Sequence, residues 1–223
     1  EFFGNTLMVN GRVWPFHPVD QRRYRLRLLN GCNSRFLILD FSSIPAVRVH
    51  QIGNDGGLLA TVHDVMAADA GRLLLAPAER ADVIVDFAHV PPGNHVLRNL
   101  GPDEPYGGGE PDVDFPLPDP DTTGQVMQFR VSASTAPDPS TPAEFLALPA
   151  IAPLPPETRV RRLALLEHMH SLGEGGPTAA LLGSVDADPA DGPAGTTHLM
   201  WMDPVTENPS LGDTEVWEVY NLT

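Results

Sequence analysis

Apolar and polar positions alternate with a period of two along much of the first 131 residues. In Tyr24-Arg25-Leu26-Arg27-Leu28 the apolar side chains fall on one face and the arginines on the other. That pattern predicts a half-covered strand. The run "RFLILDF" at 35–41 is apolar at successive positions and predicts a strand buried on both faces. "VRVHQIGNDGGLL" reads as a strand ending in a glycine-rich turn. "RLLLAPAERADVIVDF" reads as two strands around Pro77, with Ala81, Val83, Val85 and Phe87 on one face. "NHVLRNLG" and "VMQFRVS" follow, the latter with Met127, Phe129 and Val131 together. Asn10-Gly11 between apolar runs is a hairpin signal, and "NGCNS" at 30–34 is turn chemistry. The count is about seven or eight short strands and no helix, which predicts an antiparallel sandwich or Greek-key barrel. Its core should hold Leu28, Phe36, Ile38, Val83, Val85, Phe87, Met127 and Phe129.

The pattern breaks at 132–158, where seven prolines predict an extended, semi-rigid linker. The apolar patch Phe145-Leu146-Ala147-Leu148 is expected to dock it on a domain surface. Strands resume with "RVRRLALLEHMH", then a glycine-rich loop near 171–195, "THLMWM" and "TEVWEVYNLT". Three or four strands are too few to close a sandwich. The expectation is an incomplete second unit over 159–223, in a chain cut from something longer.

Charge narrows the partners. The chain has 223 residues, 14 basic and 29 acidic, for a net charge of −15, and every basic residue is arginine. Such a surface repels nucleic acid and anionic lipid. No apolar run reaches the length of a membrane helix. Residues 101–124 carry seven carboxylates and no basic residue. Calcium loops need ligands at fixed offsets and a closing glutamate, which this segment lacks, so a solvated, mobile loop is expected.

Few residues offer chemistry. Cys32 is the single cysteine, which excludes a disulfide within the chain. It has no histidine beside it and reads as a small buried thiol. His168 and His170 lie two apart on an expected strand, so both rings should share a face in a His-x-His half-site. His17, His50, His63, His89, His95 and His198 are scattered singly. No phosphate-binding glycine loop and no G-x-S-x-G elbow is present. Asp82 and Asp86 read as solvent-facing.

The runs "NTLMVNGRVWPFHPVDQRRYRLRLLNGCNSRFLILDF", "IGNDGGLL", "LLLAPAERADVIVDF" and "VMQFRV" resemble the middle cupredoxin domain of three-domain bacterial multicopper oxidases. In particular they resemble the spore-coat laccases, bilirubin oxidases and phenoxazinone synthases. "MWMDPVTENPSLGDTEVWEVYNLT" resembles the start of their third domain. The resemblance implies cupredoxin-type Greek-key sandwiches: a copper-free middle domain at 1–131, the linker at 132–158, and the first strands of a third domain at 159–223. It also implies a reaction in which a mononuclear copper takes single electrons from a phenol, aminophenol, bilirubin-like molecule or metal ion. A three-copper cluster then reduces dioxygen to water.

The family's ligands do not carry over. They come in His-x-His pairs, an "HPxHxH" motif and a terminal "HCHxxxHxxxM/L" motif. Counted from Cys32, the second histidine of the last motif falls on Leu37 and the axial position on Ser42. "HMH" at 168–170 falls on a strand where the family has no ligand. The expected set of catalytic, cofactor and metal residues in this chain is therefore empty, with copper held by the parent enzyme elsewhere. The segment's expected role is to space the copper-bearing domains, its partners being those domains and the parent's small phenolic substrate. Two alternatives stand beside it. One is a copper-free interaction module that pairs its open strand edges with another chain or with itself. The other is a small copper-binding protein using His168 and His170.

Overall fold

Asn10 and Gly11 both adopt positive φ, 50° and 75°. Those values are a type I′ turn, whose twist matches the strands it joins. It pairs β1 (Met8–Val9) with β2 (Arg12–Val13). The structure, a computed structural model, describes residues 2–169, 176–185 and 195–223. It divides into two units, one running up to Ile151 and the other Ala152–Thr223.

The first unit holds two larger sheets. One contains β3 (Phe16–Asp20), β5 (Leu37–Asp40), β8 (Arg72–Leu75), β10 (Gly93–Asn99) and β11 (Gln125–Ser132), in the order β3-β11-β10-β5-β8. The other contains β4 (Arg23–Leu29), β6 (Arg48–Asn54), β7 (Gly57–Asp64) and β9 (Arg80–Asp86), in the order β4-β9-β6-β7. Apolar side chains of both sheets form one core. Val49, Val83, Val85 and Phe87 come from one side and Leu39, Leu73, Leu97 and Phe129 from the other. Phe87 meets Phe129 at 5.0 Å and Tyr24 at 5.9 Å between ring centroids. The described chain is nearly all β, and its first unit is a two-sheet sandwich, as the alternation predicts.

Several details differ from the sequence reading. The sandwich is not purely antiparallel, because β3 runs parallel to β11. β7 continues beyond the glycine-rich turn as an eight-residue strand, and a one-turn helix α1 (Val65–Ala68) follows, capped by Asp64 Oδ1 on the N–H groups of Met66 and Ala67. Thr61 and His63 gave that stretch a polar look. Leu28 and Met127 pack on the core half-buried. Ile38 is buried but on the opposite face of β5 from Leu37 and Leu39, and Phe36 lies outside the core beside Tyr106, 5.1 Å between rings.

The acidic loop explains that last pair. Residues 101–124 pack on the outer face of β5 through a few anchoring residues, while all seven acidic residues stay exposed. Tyr106 packs between Phe36 and Phe115, at 5.1 and 5.6 Å, and Phe115 is buried. Arg35, only 3% exposed, pairs with Asp103 and donates to the carbonyls of Pro102 (3.1 Å) and Gly4 (2.6 Å). Asn99 is buried and closes the loop's ends. Its Oδ1 accepts from the N–H of Ile38 and Gly101, and its Nδ2 donates to the carbonyls of Gly101 and Thr123. The acidic composition hid this, because two of the anchors, the pairs of Asp103 with Arg35 and of Glu110 with Arg72, involve partners distant in sequence.

Residues 132–151 group with the first unit. The expected apolar anchor is misplaced: Phe145 is 74% exposed, while Ala143, at the start of a 3₁₀ turn (Ala143–Phe145), is buried. Polar contacts do the holding. Asp138 accepts from the Arg23 N–H at 2.8 Å, and the Arg23 guanidinium donates to the Ser140 carbonyl at 2.7 Å.

The second unit is a single sheet among the described residues. It contains β12 (Arg159–Met169), β13 (Pro177–Val185), β14 (Thr196–Leu199) and β15 (Glu215–Asn221), in the order β14-β13-β12-β15, with β12 and β15 parallel. β13 lies within the stretch expected as a glycine-rich loop. Its sequence "PTAALLGSV" carries too little alternation to announce a strand, and register with β12 supplies the rest.

Candidate functional site

Cys32 sits in the turn that Asn30 organises. Asn30 is fully buried, its Nδ2 donating to the carbonyls of Arg35 and Leu75 at 2.8 and 2.9 Å. Its Oδ1 accepts from the Cys32 N–H at 3.0 Å. The thiol is half-buried against the core. Burial pushes its pKa up, and Arg35 opposes only part of that. A thiol held protonated is a poor nucleophile and a poor metal ligand. Leu37, at the counted place of a copper-binding histidine, lies on β5 against the core. Ser42, at the axial place, donates its hydroxyl to Asp40 at 2.5 Å.

The single histidines are spread over both sheets of the first unit. His17 is exposed on β3, and its ring meets Tyr24 edge-on at 6.4 Å. His63 Nε2 lies 2.6 Å from Asp69, and His95 Nε2 donates to the Pro91 carbonyl at 2.8 Å. His89 is exposed. His50 is buried, with Nε2 4.0 Å from Asp64 and no partner for Nδ1. Asp82 and Asp86 are not free in solvent. Arg25 grips Asp82 through Nε and Nη2 at 2.8 and 2.5 Å, which holds that carboxyl below the usual range. Arg23 bridges Asp86 (3.7 Å) and Asp138 (3.3 Å).

A cleft of about 580 Å³ opens beside the acidic loop, lined by Ile38, Leu74, Asp69, Arg72, Tyr106 and Glu110 among others. Arg72 is committed to Glu110 at 2.8 Å, so the rim presents no unpaired guanidinium from that position.

In the second unit His168 is exposed near the end of β12. His170 lies outside the described residues, so the expected His-x-His face is not described. The structure brings His198, on β14, to His168, with ring centroids 5.7 Å apart and planes at 72°. Thirty residues separate the two in sequence, and no short-range pattern could have joined them. Among the described residues no three of His, Cys, Asp and Glu gather to hold a metal ion. Nor is any described helix long and apolar enough to cross a membrane.

No family model matches the chain. Individual proteins do. The chain is 33% identical over 224 residues to a laccase of Bacillus subtilis (strain 168), covering 100% of this chain and 37% of the relative. It is 34% identical over 229 residues to the multicopper oxidase LPR1 homolog 5 of Oryza sativa subsp. japonica, covering 100% and 31%. It is 32% identical over 226 residues to a bilirubin oxidase of Albifimbria verrucaria, covering 99% and 34%. In fold it is similar to the McoA multicopper oxidase of Aquifex aeolicus, with a TM-score of 0.60 and 26% identity over 100% of this chain and 42% of that one. The chain spans about a third of the length of the relatives it matches, for instance 31%, 33% and 37% of three of them.

Proposed function

Because this chain is homologous from end to end to a segment of the multicopper oxidases, we propose that it is the structural middle of a laccase-like oxidase. Residues 1–131 serve as its copper-free cupredoxin domain, 132–158 as a linker, and 159–223 as the first strands of the domain that follows. One observation carries the reading. Relatives named as laccase, bilirubin oxidase and multicopper oxidase each align across 99% or 100% of the chain, spanning both units.

The parent couples one-electron oxidation of a small phenol or aminophenol to the reduction of dioxygen to water, using copper bound outside these residues. The chain's own side chains supply rigidity. The Asn99 and Asn30 networks fix the loops at one end of the sandwich. The Arg23–Asp138 contact holds the start of the linker against the first unit. Cys32, with its raised pKa and no imidazole at the family spacing, takes no part in electron transfer. Its natural partners are the copper-bearing domains of the same polypeptide. No nucleic acid and no membrane enters the scheme.

The test is the reading frame around this segment, followed by the full-length product. The proposal expects "HPxHxH" and "HCHxxxHxxxM/L" motifs in that frame. The purified protein should retain copper and take up oxygen with a phenolic substrate. A frame lacking both motifs, or a product with both motifs but without oxygen uptake, overturns it. One observation favours a second reading, an interaction module: the second unit exposes Leu182, Val216, Trp217 and Val219 on its strands. That reading expects the 223-residue chain to self-associate in light scattering while its frame lacks the histidine motifs.

A further inference from the structure

His168 and His198 stand apart from everything the proposed function uses. They lie on different strands, β12 and β14, with β13 between them. Both side chains are exposed, and their rings meet at 5.7 Å. We propose that these two imidazoles form a chelate for a single borderline divalent ion, taking Cu(II) in preference to Zn(II).

The geometry sets the terms. A metal bound to a ring nitrogen sits about 2.0–2.1 Å from it, hence about 3.2 Å from the ring centre. Two imidazoles on one ion then have centroids about 4.5 Å apart at a right angle and about 6.4 Å apart when opposed. The observed 5.7 Å falls between those limits. The present edge-to-face arrangement does not aim both nitrogens at one point. Aiming them needs rotation about χ2, which is broad for histidine and unhindered at an exposed position. The strands hold the two Cα atoms in place before binding, so the chelate loses little backbone freedom on forming. Imidazole suits both copper and zinc, and divalent copper stands above zinc in the general affinity order. Water fills the remaining positions, since no third side-chain ligand gathers there among the described residues. Such a site captures an ion without a thiolate, and it is distinct from any blue-copper centre. The inference stands on exposed side chains of one sheet and is independent of the parent enzyme's activity.

Titrate the metal-free 223-residue chain with CuCl2 in the presence of glycine as competitor, by calorimetry and electron paramagnetic resonance. Repeat the titration with ZnCl2. The expected result is one Cu(II) per chain with two nitrogen ligands, and weaker zinc binding. His168→Ala and His198→Ala should each weaken Cu(II) by at least about tenfold, equivalent to about 1.4 kcal/mol. The double variant should be no weaker than either single one, because removing one arm of a chelate already removes the chelate. His170→Ala should leave binding unchanged. His168 and His198 are both exposed, and far-UV circular dichroism checks that the sheet survives. The imidazoles must be neutral to bind, so Cu(II) should be released in acid. Three outcomes overturn the proposal: no saturable Cu(II) site, binding indifferent to His198→Ala, or binding that depends on His170 in place of His198.

Discussion

The two units are built from the same kind of strand and bury it very differently. In the first, two sheets face each other, and Val49, Val83, Val85, Phe87 and Val90 lose all contact with solvent. In the second, a single sheet of four strands buries Ala164 and Leu166, both on β12, while Leu182, Val216, Trp217 and Val219 stay exposed. The difference is one of layers. A sheet has two faces, and apolar residues are covered only where a second layer lies on them. Stability in the first unit therefore comes from packing. In the second it leans on ladder hydrogen bonds and on ion pairs such as Arg161 with Glu215, at 2.6 and 2.9 Å.

The largest test of that contrast is a pair of truncations. Phe87→Ala removes a ring packed between Tyr24 and Phe129 and should cost about 3–5 kcal/mol in urea unfolding. Val219→Ala, at an exposed position on β15, should change stability by no more than about 0.5 kcal/mol. Equal effects would break the comparison.

Next in size is Asn99→Ala. It strips partners from four buried backbone groups, and each group left unsatisfied costs about 1–3 kcal/mol. Hydrogen exchange should accelerate at Ile38 and Gly101. Unchanged protection there would mean that the acidic loop is not held by this residue.

Acid should strike the second unit through Glu215. A hydrogen bond from the Arg161 side chain, then one from Trp217 Nε1, lowers its pKa to about 2. Unfolded, a glutamate titrates near about 4.3. The folded value is the lower one, so the stabilisation is fully present above the unfolded value. It fades as pH falls from about 4 toward 2. Trp217 fluorescence, read with Trp14 and Trp201 replaced by Phe, should shift in that window, and Glu215→Gln should abolish the shift. The first unit has a counterpart in Asp138. Burial raises that carboxyl, but the Arg23 N–H, the Ser140 hydroxyl and N–H, and the Arg23 charge outweigh it and bring it to about 2. Asp138→Asn should remove the acid response of the linker's hydrogen exchange while leaving the sandwich folded.

The smallest expected effect is at Cys32. Its raised pKa predicts slower disulfide exchange with a thiol reagent at pH 8 than a free cysteine shows. Cys32→Ser should leave the first unit folded. Rapid reaction would mean that the turn opens far more readily than the Asn30 hydrogen bonds suggest.

Most of the strands were legible in the sequence because alternation reports a local property, the side of the pleat on which a side chain falls. Tyr24, Leu26 and Leu28 against Arg25 and Arg27, and the Ala81 to Phe87 face, needed nothing else. β13 was missed because a run of alanine, leucine and glycine has weak intrinsic preference and becomes a strand only by pairing with β12. The packing of the acidic loop on β5 escaped the sequence for a related reason. Its seven acidic residues are exposed, and its anchors, Tyr106 on Phe36 and the pairs Arg35–Asp103 and Arg72–Glu110, join residues far apart in sequence. The absence of the family's copper motifs could be read directly, since those motifs are contiguous. The meeting of His168 with His198 could not. Period-two patterning is written into the chain itself, whereas which strands become neighbours, which charges meet and which faces are covered depend on long-range pairing that only the folded chain decides.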